Sequence, residues 1–142
     1  MVTVSEKIFI AAVPERVFKA AGDPSQQVIW DKNNFKDPVA LNHPEPGLGA
    51  RYTCWVAGMG KMTYEFTQYK PFSLFEHASE TQIASGRHLF EFSEEGSGTI
   101  FLQTMNLKPH GWGYLLYPFM KMLTRSRLRK MNKNLKCYVE NQ

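Results

Sequence analysis

WGYLLYPFMKMLTRSRLRKMNKNLKCYVE, residues 112–140, is the stretch whose reading decides the fold. Met120, Thr124, Arg127, Met131, Leu135 and Tyr138 recur in it at steps of three and four, flanked by Leu116, Leu123, Leu128 and Val139. That spacing lines one face of an α-helix. Run from Trp112 to Glu140, such a helix would be about 40 Å long at 1.5 Å per residue. Pro118 lacks a backbone donor, so the helix either starts there or kinks there.

Upstream the period changes from three-and-four to two. Residues 50–57, 61–69, 74–81, 86–93 and 99–107 read as strands, separated by turn signals such as Gly58-Met59-Gly60, Lys70-Pro71-Phe72 and Glu94-Glu95-Gly96-Ser97-Gly98. The spacing is that of an antiparallel meander. At the amino terminus, residues 3–10 alternate and are rich in β-branched side chains, which makes a first strand. Pro14 opens a short helix with Val17, Phe18 and Ala21 on its apolar side, and Gly22 stops it. Asp23-Pro24 starts a second short helix over residues 25–30. Residues 31–49 read as a loop, with a weak strand over 39–42. The expected fold is therefore α+β: a curved antiparallel sheet of six or seven strands wrapped around a long carboxy-terminal helix, with two short helices after the first strand. All 142 residues fit one domain. A bent sheet around a helix leaves a space wherever the facing side chains do not fill it.

The ordered motifs carry a resemblance. EKIFIAAVPERVF over residues 6–18 and DPSQQVIWD over 23–31 resemble the opening of the polyketide cyclase/dehydrase and START-related superfamily, which has the helix-grip (SRPBCC) fold. There a first strand ends in a proline-started helix, and a second short helix closes on an aromatic and an acidic residue. GLGARY over 47–52, YEFTQYKP over 64–71 and NLKCYVE over 134–140 are similar to the family's third strand, a later strand with its turn, and the end of its last helix. The resemblance implies the helix-grip fold over nearly the whole chain. It leaves function open, since the superfamily includes lipid and sterol carriers, ubiquinone-binding proteins, aromatic polyketide cyclases and co-chaperone-like members.

Strand parity predicts the inner face, because alternate residues point to opposite sides of a sheet. The inward sets are Tyr52, Cys54 and Val56; Met62, Tyr64, Phe66 and Gln68; Phe75, His77 and Ser79; His88, Phe90 and Phe92; and Phe101, Gln103 and Met105. With Met120, Leu123 and Arg127 from the helix, they make an aromatic and methionine-rich interior holding a few polar groups. Such a lining suits a small, largely apolar molecule, and it also suits an ordinary core.

His77 and His88 fall nearly opposite one another across a short hairpin. Two imidazoles so placed can orient a ligand carbonyl or act, with Tyr64, as acid and base; they can equally be core histidines bonded to hydroxyls such as Ser79 or Tyr64. Arg127 lies within the apolar stripe, where it can grip a ligand carboxylate or phosphate, reach out of the cavity mouth, or pair with a protein carboxylate. No metal is expected, because only Cys54 among carboxylates and thiolates falls near the two histidines. No cofactor is implied: the glycine-rich turns do not lead from a strand into a helix. Cys54 has no base beside it and no serine sits in a nucleophile elbow.

These features point to binding or transport of a hydrophobic ligand such as a lipid, a quinone or an aromatic polyketide-like molecule. A polyketide cyclase/dehydratase-like enzyme is a second reading, and an interaction protein using the basic last helix is a third. The net charge of +4 is concentrated in that helix, from Arg125 to Lys136. The run reads first as the solvated basic face of a long helix. Of the two sharper readings, with Trp112, Tyr114 and Tyr117 just before it, an anionic membrane surface is a better match than nucleic acid, for which no base-stacking aromatics interleave the cations. No apolar run approaches the ~20 residues of a membrane span, and residues 1–10 lack the pattern of a signal peptide. Two cysteines without metal-ligand spacing fit a reducing, cytoplasmic setting. Oligomeric state is open.

Overall fold

The computed structural model describes residues 1–142. In chain order it has β1 (Val2–Ile10), α1 (Pro14–Gly22), α2 (Pro24–Trp30), β2 (Phe35–Ala40), β3 (Arg51–Val56), β4 (Gly60–Lys70), β5 (Leu74–Glu80), β6 (Ala84–Glu95) and β7 (Gly98–Pro109), then a 3₁₀ helix (Gly111–Leu116) and α3 (Tyr117–Glu140). The seven strands form one antiparallel sheet in the order β1-β7-β6-β5-β4-β3-β2. The meander thus runs from β2 to β7, and β1 returns to close the far side. α3 lies along β1 and β7, so the helix-grip arrangement expected from the sequence is the one observed.

Each element has a local cause. Pro14 and Pro24 sit in the first turns of α1 and α2, where a missing N–H costs nothing. The Asp23 carboxylate accepts from the Ser25 amide at 2.9 Å and caps α2. The Trp30 indole donates to the Ala20 carbonyl at 2.9 Å, which ties α2 onto α1. Phe18 of α1 is buried edge-on among Tyr69, Phe72, Phe75 and Phe92, with ring centroids 5.1–5.8 Å away. α3 buries Met120, Thr124, Leu128, Met131, Leu135 and Val139, which recur at helical spacing. The carboxylate of Glu140 accepts from the Ala11 amide, and Lys136 donates to the Phe9 carbonyl, so the helix end is also tied to the end of β1.

Three boundaries differ from expectation. The helix predicted over 112–140 is α-helical only from Tyr117; Pro118, in the first turn, marks its start, and the residues before it wind as 3₁₀. The weak strand expected over 39–42 is β2, Phe35–Ala40. It is broken by a register shift between Lys36 and Val39 where Asp37, held before Pro38, takes a left-handed φ of 54°. β4 also shifts register between Phe66 and Gln68, and this changes which side chains face inward.

The 3₁₀ helix docks on the β5–β6 turn: His110 donates its amide to the Ile83 carbonyl at 3.0 Å, and Gly113 packs directly against that same residue. A Cβ on Gly113 would collide with the Ile83 carbonyl, whereas one on Gly47 would meet nothing within 4 Å. Gly113→Ala should therefore lose about 1–3 kcal/mol in chemical denaturation while Gly47→Ala stays within a few tenths of wild type.

Candidate functional site

The concave face of the sheet is a continuous aromatic surface. Tyr52 of β3 stacks on Tyr64 of β4 with centroids 5.3 Å apart. Tyr64 lies 4.6 Å from the His77 ring of β5, and Phe66, Phe75 and Phe90 surround the same imidazole at 4.5–5.3 Å. His77 pairs directly with His88 across β5 and β6, as the alternation predicts, and His88 stacks on Phe90 at 3.9 Å. Tyr52, Cys54, Tyr64, Phe66, His77, His88, Phe90, Phe101, Gln103 and Met120 are all buried, so ten of the side chains expected to face inward do so.

Two do not. Gln68 is exposed, because the shift in β4 turns both Thr67 and Gln68 to the outer face and hands the next inward position to Tyr69, which packs on Phe18 and Phe66. Leu123 is 52 % exposed. It stands one residue before the buried Thr124, about 100° round the helix from it, and so falls off the buried face.

The two histidines have different surroundings. Gln103 donates its amide to Asn132 Oδ1 at 2.7 Å and to the Leu128 carbonyl at 3.3 Å, both on α3. Its own carbonyl oxygen lies 2.7 Å from His88 Nε2. With the amide nitrogen committed to two acceptors, that oxygen must accept, so His88 carries its proton on Nε2. Burial pushes the His88 imidazole down to about 4, partly opposed by the bond to Gln103. His77 is held well below the ordinary imidazole range by burial and by neighbouring His88, and its Nε2 has no partner. The Tyr52 hydroxyl is likewise buried without a partner. Neither of the hydroxyl bonds considered for the histidines, to Ser79 or Tyr64, forms.

Arg127 is half-buried and donates to the Ala57 carbonyl at 2.6 Å, where the β3–β4 hairpin begins to turn. Its counter-charge is Asp31, a residue not singled out as a site candidate: its carboxyl is buried, accepts from Gln27 and Asn34 at 3.2 Å each, and is pushed up by burial against the pull of those bonds and of Arg127. The guanidinium is thus engaged with a backbone carbonyl and faces a buried acid without a direct ion pair. Burial pushes the Cys54 thiol up to about 12, which keeps it protonated and a poor nucleophile.

The space expected between sheet and α3 is filled where the two meet. Phe66, Phe75, Phe101, Leu128 and Leu135 have no room for water around them, each being under 2 % exposed. At the rim lies an open cleft of about 640 Å³, between the α1–α2 junction (Gly22, Asp23, Pro24) and the β2–β3 connection (Pro44, Glu45, Pro46). Phe18, Tyr69 and Tyr52 line it. Tyr52 therefore belongs both to the rim cavity and to the ring row that leads to His77.

A family model for polyketide cyclase/dehydrase and lipid transport proteins matches residues 1–140. The chain belongs to that family. Among curated proteins, no sequence matches it. Among solved structures it is similar to a protein of Thermus thermophilus, with 20 % identity, 96 % of each chain covered and a TM-score of 0.77. It is also similar to the Aha1 dimer of Colwellia psychrerythraea (14 %, 96 % of this chain and 97 % of that one, 0.66). A third is norcoclaurine synthase of Thalictrum flavum, determined with dopamine and hydroxybenzaldehyde (10 %, 99 % and 87 %, 0.73). At these identities the likeness establishes the fold alone, and family membership spans both lipid transport and catalysis.

Because both imidazoles titrate below their unfolded value, the unfolded chain takes up protons first as pH falls. Stability present above about pH 6.5 is lost as pH drops towards 4, by up to about 1.4 kcal/mol per pH unit for each histidine. The raised carboxyl of Asp31 works in the opposite sense at the acid end of this window. Urea midpoints taken from about pH 7 to about pH 5 should fall steeply for wild type and roughly half as steeply for His77→Leu.

Proposed function

We propose that this protein binds a small, largely apolar molecule bearing one polar end, and carries it rather than transforming it. The molecule enters through the rim cavity between the α1–α2 junction and the β2–β3 connection. Its polar end comes to rest against His77 Nε2, and Tyr52 Oη meets it on the route in from the rim. The observation that carries this reading is the pair of buried polar atoms without partners, both on the aromatic face. An unmade buried hydrogen bond costs on the order of 1–3 kcal/mol each, and a ligand carbonyl or hydroxyl would recover it. A cavity of about 640 Å³ is within the range that holds small-molecule ligands. Membership of a family described by lipid transport as well as by cyclase and dehydrase chemistry supports the ligand class.

Entry along this route requires the Tyr52 ring to swing off Tyr64, since it stands between the cavity and His77. Carriage is favoured over catalysis by what the other polar groups are doing. His88 is bonded to Gln103, Arg127 to Ala57, and Cys54 keeps its proton. The cyclase/dehydratase-like reading rests on His77 alone. That imidazole is neutral at pH 7 and unpartnered, and so able to accept a proton from a substrate placed against it. The norcoclaurine synthase likeness supplies a precedent for a ligand-holding protein on this fold.

Mass spectrometry of the protein extracted under native conditions should release a co-purified apolar compound. Fluorescence titration with a naphthoquinone and with a saturated fatty acid should show saturable binding. Tyr52→Phe and His77→Leu should each weaken that binding by about tenfold while leaving the thermal midpoint equal to or above wild type, because each removes an unsatisfied polar atom. Unchanged affinity in both variants would remove the basis for this site. Turnover of a candidate substrate that vanishes in His77→Leu with the fold intact would replace carriage by catalysis.

A further inference from the structure

The outer side of the 3₁₀ helix and of the first turns of α3 carries apolar side chains that are largely exposed. Trp112, Tyr114 and Leu115, with Phe119, Met122 and Leu123, are each 51–78 % exposed. They fall within twelve consecutive positions, 112–123. Contiguous exposure on this scale marks an interaction surface rather than ordinary surface composition. Phe119 and Met122 lie opposite the buried Met120, Thr124 and Leu128, so the apolar tip points directly away from the sheet.

Charge decides the occupant. Between residues 96 and 139 the chain has no Asp or Glu, while Lys and Arg recur along it. Glu6, from β1, engages Arg125 and Arg129. Lys121, Lys130 and Lys133 have no carboxylate within ion-pair distance and are exposed on the helix that carries the apolar tip. An aromatic-rich apolar end next to unpaired ammonium groups is complementary to an anionic bilayer: the rings and aliphatic chains enter the headgroup boundary and the lysines meet the phosphates. A second copy of the chain fits poorly, because a two-fold contact through this tip would bring the same cations together. Nucleic acid would satisfy the lysines and leave Leu115, Phe119 and Met122 in water.

We infer that the 3₁₀ helix and the amino-terminal end of α3 dock the protein on an anionic lipid surface, with the tip inserted and Lys130 and Lys133, on the same face of the helix as Phe119, on the headgroups. Neither the docking nor its test requires a ligand in the interior, so failure here leaves the binding site untouched. The full chain should sediment with vesicles of phosphatidylcholine containing a minority of phosphatidylserine, bind vesicles of phosphatidylcholine alone on the order of tenfold less, and be released by salt. Leu115→Ser combined with Phe119→Ser, and separately Lys130→Glu combined with Lys133→Glu, should each reduce sedimentation by about tenfold or more, with far-ultraviolet circular dichroism unchanged. Equal binding to both vesicle types, no binding to either, or wild-type binding by both double variants overturns the inference. So does a concentration-dependent dimer that is lost in Leu115→Ser with Phe119→Ser, since the tip would then be filled by a second copy.

Discussion

The side-chain amide of Gln103 is the joint on which the interior depends. It is fully buried on β7, donates twice into α3 and accepts once from β6. Apolar packing of Leu128, Leu135 and Val139 holds the helix against the sheet but is tolerant of sliding, because dispersion has no direction. The amide is directional. Its bonds to Asn132 and to the Leu128 carbonyl fix the rise and rotation of α3, and its bond to His88 fixes one imidazole in a single tautomer. That division leaves His77, one strand away, as the interior histidine with an unmade bond. Beside that satisfied network, the buried atoms left without partners, on His77 and Tyr52, stand out.

Much of the fold could be read from periodicity because both patterns are clean here. The strands that face the helix alternate strictly, and α3 repeats at three and four. The reading failed where the backbone left its regular period. In β4 one extra residue reversed the parity after Phe66, so Gln68 turned out and Tyr69 turned in; no composition signal near Thr67 announces this. In α3 the apolar stripe widens towards its start, and Leu123 belonged to the outward tip rather than to the interior. The facing of His77 and His88 was legible from turn length alone. The partner of Arg127 was not, because it is a main-chain carbonyl on a hairpin far away in sequence. Asp31 could have been noticed as the only acid close behind the buried Trp30, and its burial follows from Gln27 and Asn34 closing over it.

The electrostatics of the interior are those of a site kept neutral. Both histidines and Cys54 are pushed by burial towards their uncharged forms. The remaining charged pair, Asp31 and Arg127, lies beside the β3–β4 hairpin. Past the charged rim of Lys19, Asp23 and Glu45, an apolar guest meets neutral groups whose dipoles can orient it. On α3, in contrast, the cations other than Arg127 lie on the outer side.

The two margins of the sheet are handled differently. At one, α3 supplies Lys136 and Glu140 to the main chain at the end of β1. At the other, the shift at Asp37 and the imide nitrogen of Pro38 interrupt β2 after two paired residues. A stray polypeptide approaching the β2 border finds no unbroken row of amides to copy. At that border the curved β-layer offers no template for fibril growth.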